Sequence, residues 1–444
     1  MNENNVNLRI NRLFEIIHSD MIKDFARLAG DMSRWTRQRK MPLHDMLICT
    51  LGKKGLTTAM EIRNFYTHAE KIELAVSKQD YLRQRQFLNP EVFSVLNQSY
   101  LSPFYQGTEP IEWQGYVVLG TDGSKIEIPN SKENRDTYGH SKNQHGETSA
   151  RANCSILHDL FNGFMIDIGL HEYQGSEITE AKAHIKTIRE IIGERPVLII
   201  FDRNYVSLEF IDILEKAGIH YLMRLQAGTY KKEVSQLQSS DEEVEVKHTA
   251  DRMSNLRRDA PEREKELSKR PSTRIRMIKT TFKDEEHGIL ITNLSKESSE
   301  EIQQLYRKRW KIEEQYHTMK NKMKFESVTG NASIYVKQDF LAQMLVFNII
   351  RDLITKAESR AVQQKRKKPL KYEIRVNENI AIGLFKDQFI KLMLENDDYR
   401  KDVMLSNLLS EIEKHILPVR PGQKSTPRKW NKSNKYKCNL KPAF

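Results

Sequence analysis

The chain of 444 residues is short of several things, and each shortage excludes a class of protein. It has 3 cysteines, Cys49, Cys154 and Cys438, an odd number set far apart. That excludes a disulfide scaffold and a zinc cluster, and it suits a reducing compartment. No run of about 18 apolar residues occurs, the minimum for a membrane-spanning helix. Residues 1–30 are charged and helical in spacing, unlike a signal peptide. No Gly-x4-Gly-Lys-Ser/Thr loop is present, so the strand Val197–Asp202, although shaped like a Walker B strand, does not indicate an ATPase. Neither an internal repeat nor a low-complexity tract appears. The expected location is the cytoplasm, with no membrane partner.

Positive charge is what the chain has in excess. There are 72 Lys and Arg against 60 Asp and Glu, a net charge of +12, which suits a polyanionic partner and a nucleoid-associated location. The surplus is concentrated. Lys365–Lys371 is a basic loop expected to face phosphate. Beyond Glu413 no acidic residue remains, while Arg420, Lys424, Arg428, Lys429, Lys432, Lys435, Lys437 and Lys441 follow. Such a tail is either disordered or laid on nucleic acid.

Residues 1–108 read as an all-helical domain. Ile10, Leu13, Phe14, Ile17 and Met21 recur at helical spacing, Pro42 opens a second helix through Leu43, Met46, Leu47 and Leu51, and two more follow Gly55 and Val76. Ser77–Phe87 joins a good N-cap to Lys78, Arg83 and Arg85, as the reading helix of a helix-turn-helix would; a small helical domain with a charged surface is the alternative.

The texture changes at Trp113. Tyr116–Asp122 is an apolar strand ending in a carboxylate. Arg151–Asp159 and Gly163–Leu170 are two β-rich runs joined through Asn162-Gly163, a hairpin signal. Ser176 is expected to cap a helix through Ile178, Ala181, Ile185, Ile188 and Ile192, stopped by Gly193. Pro196–Asp202 is an uninterrupted apolar strand, again ending in Asp. Ser207 starts a further helix, and Ile219–Leu225 reads as a strand. Three strands, helix, strand, helix, strand is the order of an RNase H-like α/β core, in which the first strand's Asp and the Asp after the first helix come side by side and a late helix brings a Glu. Between Gly228 and Phe282 the chain turns polar, with Asp241–Lys247 alternating, so a small antiparallel β insertion is expected there. Core strand texture returns at Gly288–Asn293, and Phe340–Ile354 is an apolar core helix.

The stretch from Ser298 to Met323 opens with a Ser-x-x-Glu capping box and contains neither Gly nor Pro, so one continuous helix is expected. At about 100° per residue and with Tyr306 at zero, Arg309, Glu313 and Lys320 fall at about −60°, −20° and −40°, one narrow polar row at the rim of an apolar band. Glu314 and Arg307 lie off this face. Trp310 either stacks on a base or fills the core, and the core reading is preferred.

Tyr306-x2-Arg309-x3-Glu313-x6-Lys320 resembles the signature of the insertion-sequence-four family of bacterial DDE transposases. Thr121–Ser124 is similar to that family's first-Asp box and Phe201–Tyr205 to its Asp-Arg-Gly-Tyr box, with Asn204 where Gly is usual; Asn also enters the left-handed region. The resemblance covers roughly residues 115–350, β insertion included. It implies an α/β fold with an RNase H-like catalytic core at 109–227 and 284–358, interrupted by a β-rich insertion at 228–283. An N-terminal helical DNA-binding domain at 1–108 and a C-terminal helical region with a basic tail at 359–444 complete it.

The resemblance further implies that Asp122, Asp202 and Glu313 are catalytic and hold two Mg²⁺ or Mn²⁺ ions per active site, and that Tyr306, Arg309 and Lys320 bind DNA phosphates. Oxygen ligands in that number suit two such ions. The implied partners are double-stranded DNA, as element ends and as target, and a second copy of the chain on paired ends. The implied reaction is cut-and-paste transposition, with cleavage at the terminal inverted repeats and joining of the 3′-hydroxyls to target DNA; a catalytically inactive DNA-binding descendant is the alternative. Some relatives stack a flipped base on a Trp of the β insertion during hairpin cleavage, and no Trp lies here between Asp202 and Trp310.

Overall fold

The computed structural model of the chain describes residues 4–36, 40–142, 144, 146–281, 288–364 and 372–420. The basic loop Lys365–Lys371 and the tail from residue 421 lie outside the described residues. Two units are distinguished: Met1–Phe104 with Ile126–Ala152 and Gln315–Phe444, and Tyr105–Lys125 with Asn153–Glu314. Mixed α/β structure around one large sheet is the result. Among the described residues no helix is long and apolar enough to cross a membrane.

In the first unit, residues 4–104 form helices, as their spacing predicts, and these include Asn4–Ile17, Leu43–Leu51, Thr58–His68 and Lys78–Arg85. The organising element is the 32-residue helix Ser333–Gln364. Its Val336, Phe340, Leu341, Leu345, Phe347 and Leu353 are all buried, on more than one face. A helix buried on more than one face must be surrounded by other elements. Asn4–Ile17, Leu43–Leu51, Glu378–Leu394 and Asp398–Lys414 pack against it. Ser77 caps the Lys78–Arg85 helix through the Asp80 N–H at 3.1 Å. The expectation that Arg85 faces DNA is overturned, because its side chain is wholly buried and paired with Asp339. Arg83, 75% exposed, keeps the outward position.

The strands are β1 Val117–Glu127, β2 His140–Lys142, β3 Thr148–Asp159, β4 Met165–Glu172, β5 Val197–Phe201, β6 Ile219–Arg224, β7 Asp241–Lys247, β8 Ser272–Thr280 and β9 Gly288–Thr292. They lie in the order β2-β3-β1-β5-β6-β9-β8-β7, with β4 paired to β3. β1, β5 and β6 are parallel, and β9, β8 and β7 continue antiparallel. The β3–β4 hairpin forms at Asn162-Gly163: Gly163 takes φ of 80°, and buried Asp159 accepts from the Phe161 and Asn162 N–H groups, each at 2.9 Å.

Three expectations need correction. β1 does not end at Asp122 but runs on to Glu127. The segment after residue 228 does contain an antiparallel pair, β7 with β8, but this pair is continuous with the central sheet. Its β7 and β8 extend the central sheet beyond β9, and its helices Ser254–Asp259 and Pro261–Leu267 pack among themselves and against the Leu208–Lys216 helix. Ser176 precedes its helix without the side-chain cap bond expected of it, whereas Ser207 starts the Leu208–Lys216 helix as expected. A short β10 Glu373–Val376 and β11 Ile416–Val419 ribbon, unforeseen in the sequence, closes the C-terminal part of the first unit.

Candidate active site

Parallel pairing of β1 with β5 stops at Gly120 opposite Ile200. Two residues further along each chain stand Asp122 and Asp202. The equal offset sets both carboxylates at the same, C-terminal edge of the parallel pair. Asp202 leads directly into a 3₁₀ turn, Arg203–Tyr205. Tyr205 roots that turn by packing its buried ring on Phe201, centroids 5.3 Å apart. Asn204 sits in the 3₁₀ turn and takes no positive φ, so the left-handed conformation expected of it is not used.

Gly120 explains how Glu313 arrives beside β1. A Cβ there would meet Ile312 Cδ1 at 2.5 Å and Leu160 Cδ2 at 3.2 Å. The missing side chain leaves room for Ile312 to seat closely on β1, and its neighbour Glu313 is thereby carried to the strand that bears Asp122. Lys311 adds a bond from its ammonium to the Leu160 carbonyl at 2.6 Å.

Residues 299–322 are helical throughout but not one uniform α-helix. The capped first segment Ser299–Tyr306 passes into a 3₁₀ turn Arg307–Trp310, then α-helix Lys311–His317, then a π turn Thr318–Lys322. The Ser298–Glu301 capping box is complete. Tightening and loosening of the winding make a projection at constant angle fail. Tyr306 is accordingly not at a wet rim: it is 6% exposed. Burial pushes its hydroxyl pKa up, the Asp202 charge adds to that, and Arg309 and Arg224 oppose it. Trp310 is not in the core, being 64% exposed, with the Arg309 guanidinium 5.8 Å from its ring.

Arg309 is the hub. Its guanidinium donates to Glu313 at 3.3 Å and lies 3.9 Å from Asp122. Burial works against its charge, but Asp202, Tyr306, Asp122 and Glu313 outweigh burial and hold its pKa above the ordinary value. Asp122 moves the other way, to about 6. Its burial dominates; the Gly123 N–H at 2.9 Å and Arg309 only partly offset it, and Asp202 and Glu177 raise it further. Lys320 lies on the π turn, its ammonium 5.9 Å from the Tyr316 ring.

Among the described residues no three His, Cys, Asp or Glu side chains come within ligating distance of one point. Asp122 and Glu313 instead lie against the Arg309 guanidinium, whose charge Asp202 also favours. Their donor set is all oxygen and already attracts a cation, so in kind it fits a hard divalent ion.

Residues 113–349 match the family described as the transposase DDE domain. The chain belongs to that family. It is thus a DDE transposase of a mobile element, from a family of DNA-cleaving and DNA-transferring enzymes. No curated protein sequence matches it. Among solved structures it is similar to a cryo-EM structure of the piggyBac transposase synaptic complex with hairpin DNA, at 10% identity and a TM-score of 0.43, covering 95% of this chain and 88% of that one.

Two groups of this site went unnoticed in the sequence of the transposase. Glu177 opens the helix after β4 and acts on Asp122, and Arg224 ends β6 and acts on Tyr306. A charged residue closing an apolar strand was the available signal for Arg224. Glu177 carried none, since an acid in the first turn of a helix is ordinary.

Proposed function

We propose that this transposase has an RNase H-like core, formed by β4-β3-β1-β5-β6, that it belongs to the insertion-sequence-four branch, and that it moves its element by cut and paste. The observation that carries the reading is the pair Asp122 and Asp202 at one edge of two parallel strands, joined to Glu313 through Arg309. Asp122, Asp202 and Glu313 would hold Mg²⁺ or Mn²⁺. When bound, two such ions activate an attacking oxygen and stabilise a leaving one.

The chain's own residues bind and orient DNA. Arg309 offers a bidentate fork to phosphate and Lys320 a point charge, while Tyr306, buried beside Arg309, acts on phosphate by holding that guanidinium in place. Water attacks the phosphodiester at the element end, an O–P bond forms, and the bond to the 3′-oxygen breaks to leave a 3′-hydroxyl. That hydroxyl attacks a target phosphate and expels the target's own 3′-oxygen. The substrates are double-stranded end and target DNA, the working unit is a homodimer on paired ends, residues 1–108 contribute to end recognition, and the setting is the nucleoid.

The test is nicking of a labelled duplex made from the DNA just outside the coding region, where a terminal inverted repeat is expected, in Mg²⁺, beside a gel shift and a thermal melt. Asp122→Ala, Asp202→Ala and Glu313→Ala should each bind and melt normally yet nick roughly a thousandfold more slowly, equivalent to about 4 kcal/mol. Normal nicking by Glu313→Ala would remove it from the site and direct attention to Glu314 or Glu177.

A further inference from the structure

The part of the signature stretch that carries Lys320 is its least relaxed part. In the π turn Thr318–Lys322 the Met323 N–H donates to the Thr318 carbonyl at 3.1 Å, and the Phe325 N–H reaches the Met319 carbonyl at 3.1 Å. Lys324 then takes φ of 57°, in the left-handed region. π turns are rare in helices, and a non-glycine residue at positive φ is strained, so both persist only where neighbours hold them.

The neighbour here is Glu378, first residue of the Glu378–Leu394 helix. One of its carboxylate oxygens accepts from the Thr318 hydroxyl at 3.4 Å and from the Lys322 ammonium. These are the first and last residues of the turn. The other oxygen lies 3.8 Å from Arg351. Phe347, Ile350, Ile354 and Ile382 wall the same small cavity with apolar surface. Burial works to raise the Glu378 pKa, but Lys322 and Arg351 outweigh it and keep the carboxyl below its usual range. Its place at a helix N-terminus favours the anion as well.

We propose that Glu378 is a positioning residue that clamps both ends of the π turn and thereby sets the direction of Lys320, midway along it. The inference rests on the reading of Lys320 as a phosphate-binding residue. It makes a prediction opposite in sign to simple charge counting. Removing a carboxylate near a DNA-binding lysine should tighten binding to a polyanion; removing a clamp should weaken it.

The experiment measures binding of the full chain to a fluorescein-labelled duplex bearing the terminal inverted repeat, from 50 to 200 mM salt. It compares the unmutated protein with Lys320→Ala, Glu378→Gln and the double variant. Lys320→Ala should flatten the slope of log K against log salt by about 0.9, one phosphate contact. Glu378→Gln should flatten it by a similar amount, weaken binding several-fold, and add nothing in the double variant. Thr318→Val, which removes the contact from the turn's side and keeps the Glu378–Lys322 pair, should act in the same direction and covers the case in which Glu378→Gln does not fold.

Tighter binding by Glu378→Gln, an unchanged slope beside a flattened one for Lys320→Ala, or additive effects in the double variant would each overturn the positioning role. An unchanged slope for Lys320→Ala would overturn the phosphate role of Lys320, and the clamp's purpose with it.

Discussion

Arg85 and Asp339 meet at 2.5 Å with neither side chain exposed to water, although 254 positions of sequence separate them. Lys53 brings a second buried cation to Asp339 at 3.1 Å, and Thr329 donates its N–H at 2.7 Å and its hydroxyl at 2.8 Å. Burial alone would raise the Asp339 pKa; Arg85, Lys53 and the Thr329 bonds outweigh it and hold the carboxyl at about 2. Through these ion pairs Asp339 links the Lys78–Arg85 helix and Lys53 to the long Ser333–Gln364 helix.

Asp339→Ala would leave two cations buried without their counter-charge, and a loss of about 3–5 kcal/mol is expected. The sign of the pH dependence follows from the depressed value. An unfolded aspartate titrates near 3.9, so the stability Asp339 contributes is fully present above about pH 4 and is lost as pH falls toward about 2. Urea unfolding between pH 5 and pH 2.5 should show this loss in the unmutated transposase and not in Asp339→Ala. Equal slopes in the two proteins would sink the account.

Lys386 presents the opposite case. It is buried, with the Gln343 side-chain oxygen and the Met323 carbonyl each 3.4 Å from its ammonium, and burial pushes its pKa down to about 7, with Lys53 adding to the effect. An unfolded lysine titrates near 10.4, so between about pH 7 and pH 10 the unfolded chain binds the extra proton and stability rises with pH. Below about pH 7 the full penalty applies. Lys386→Met, which keeps the stem and drops the charge, should raise stability at pH 6.5 by about 1–4 kcal/mol and cancel part of the rise toward pH 9. A variant that melts lower at pH 6.5 would show that the ammonium's bonds outweigh its desolvation.

How far the sequence could be read depended on whether a feature was local or a matter of packing. Asp122 and Asp202 were singled out because an apolar run closing on a carboxylate is a local pattern, although β1 itself continues past Asp122 to Glu127, and the Ser298–Glu301 box because capping is decided within four residues. The parallel register that sets the two Asp side by side was implied only by element order. Gly120, by contrast, carried no local message: its reason is Ile312, on a helix far along the chain. Arg85 and Trp310 were misjudged for one cause. Type and spacing could not say which charged residue would find a buried partner or which aromatic would be left outside. The changes to 3₁₀ and π winding were also illegible, because no residue type encodes them and a partner such as Glu378 supplies the stabilisation.

Trp310 offers a clean discrimination between the two placements. Replacing a core Trp by Ala costs about 3–5 kcal/mol, whereas an exposed side chain is usually within about 0.5 kcal/mol. With 64% of Trp310 exposed, Trp310→Ala should melt within about a degree or two of the unmutated protein. If it also weakens binding of end DNA with an unpaired base near the cleavage point more than binding of fully paired DNA, its ring is a stacking platform. A large drop in melting temperature would return Trp310 to the core.

Arg309 holds two of the carboxylates before any metal or DNA arrives. Arg309 lies 3.3 Å from Glu313 and 3.9 Å from Asp122, and it is the cation that now offsets their repulsion. A divalent ion and Arg309 would therefore compete for the same negative charge in the DNA-free protein. Arg309→Ala should bind Mn²⁺ more tightly in the absence of DNA, by about tenfold or more, equivalent to about 1.4 kcal/mol. Titration followed by electron paramagnetic resonance reads this directly, without any need for activity. Nicking of end DNA should nevertheless fall, because the fork that would grip phosphate is gone. Arg309→Lys keeps the charge and loses the fork, so it should leave Mn²⁺ affinity near that of the unmutated protein while nicking still drops. Such a split would separate the two roles of one side chain, as counter-charge before DNA arrives and as phosphate ligand afterwards. If Arg309→Ala bound Mn²⁺ no more tightly, the carboxylates would not be competing for a common cation, and their arrangement around Arg309 would be only an ion-pair network.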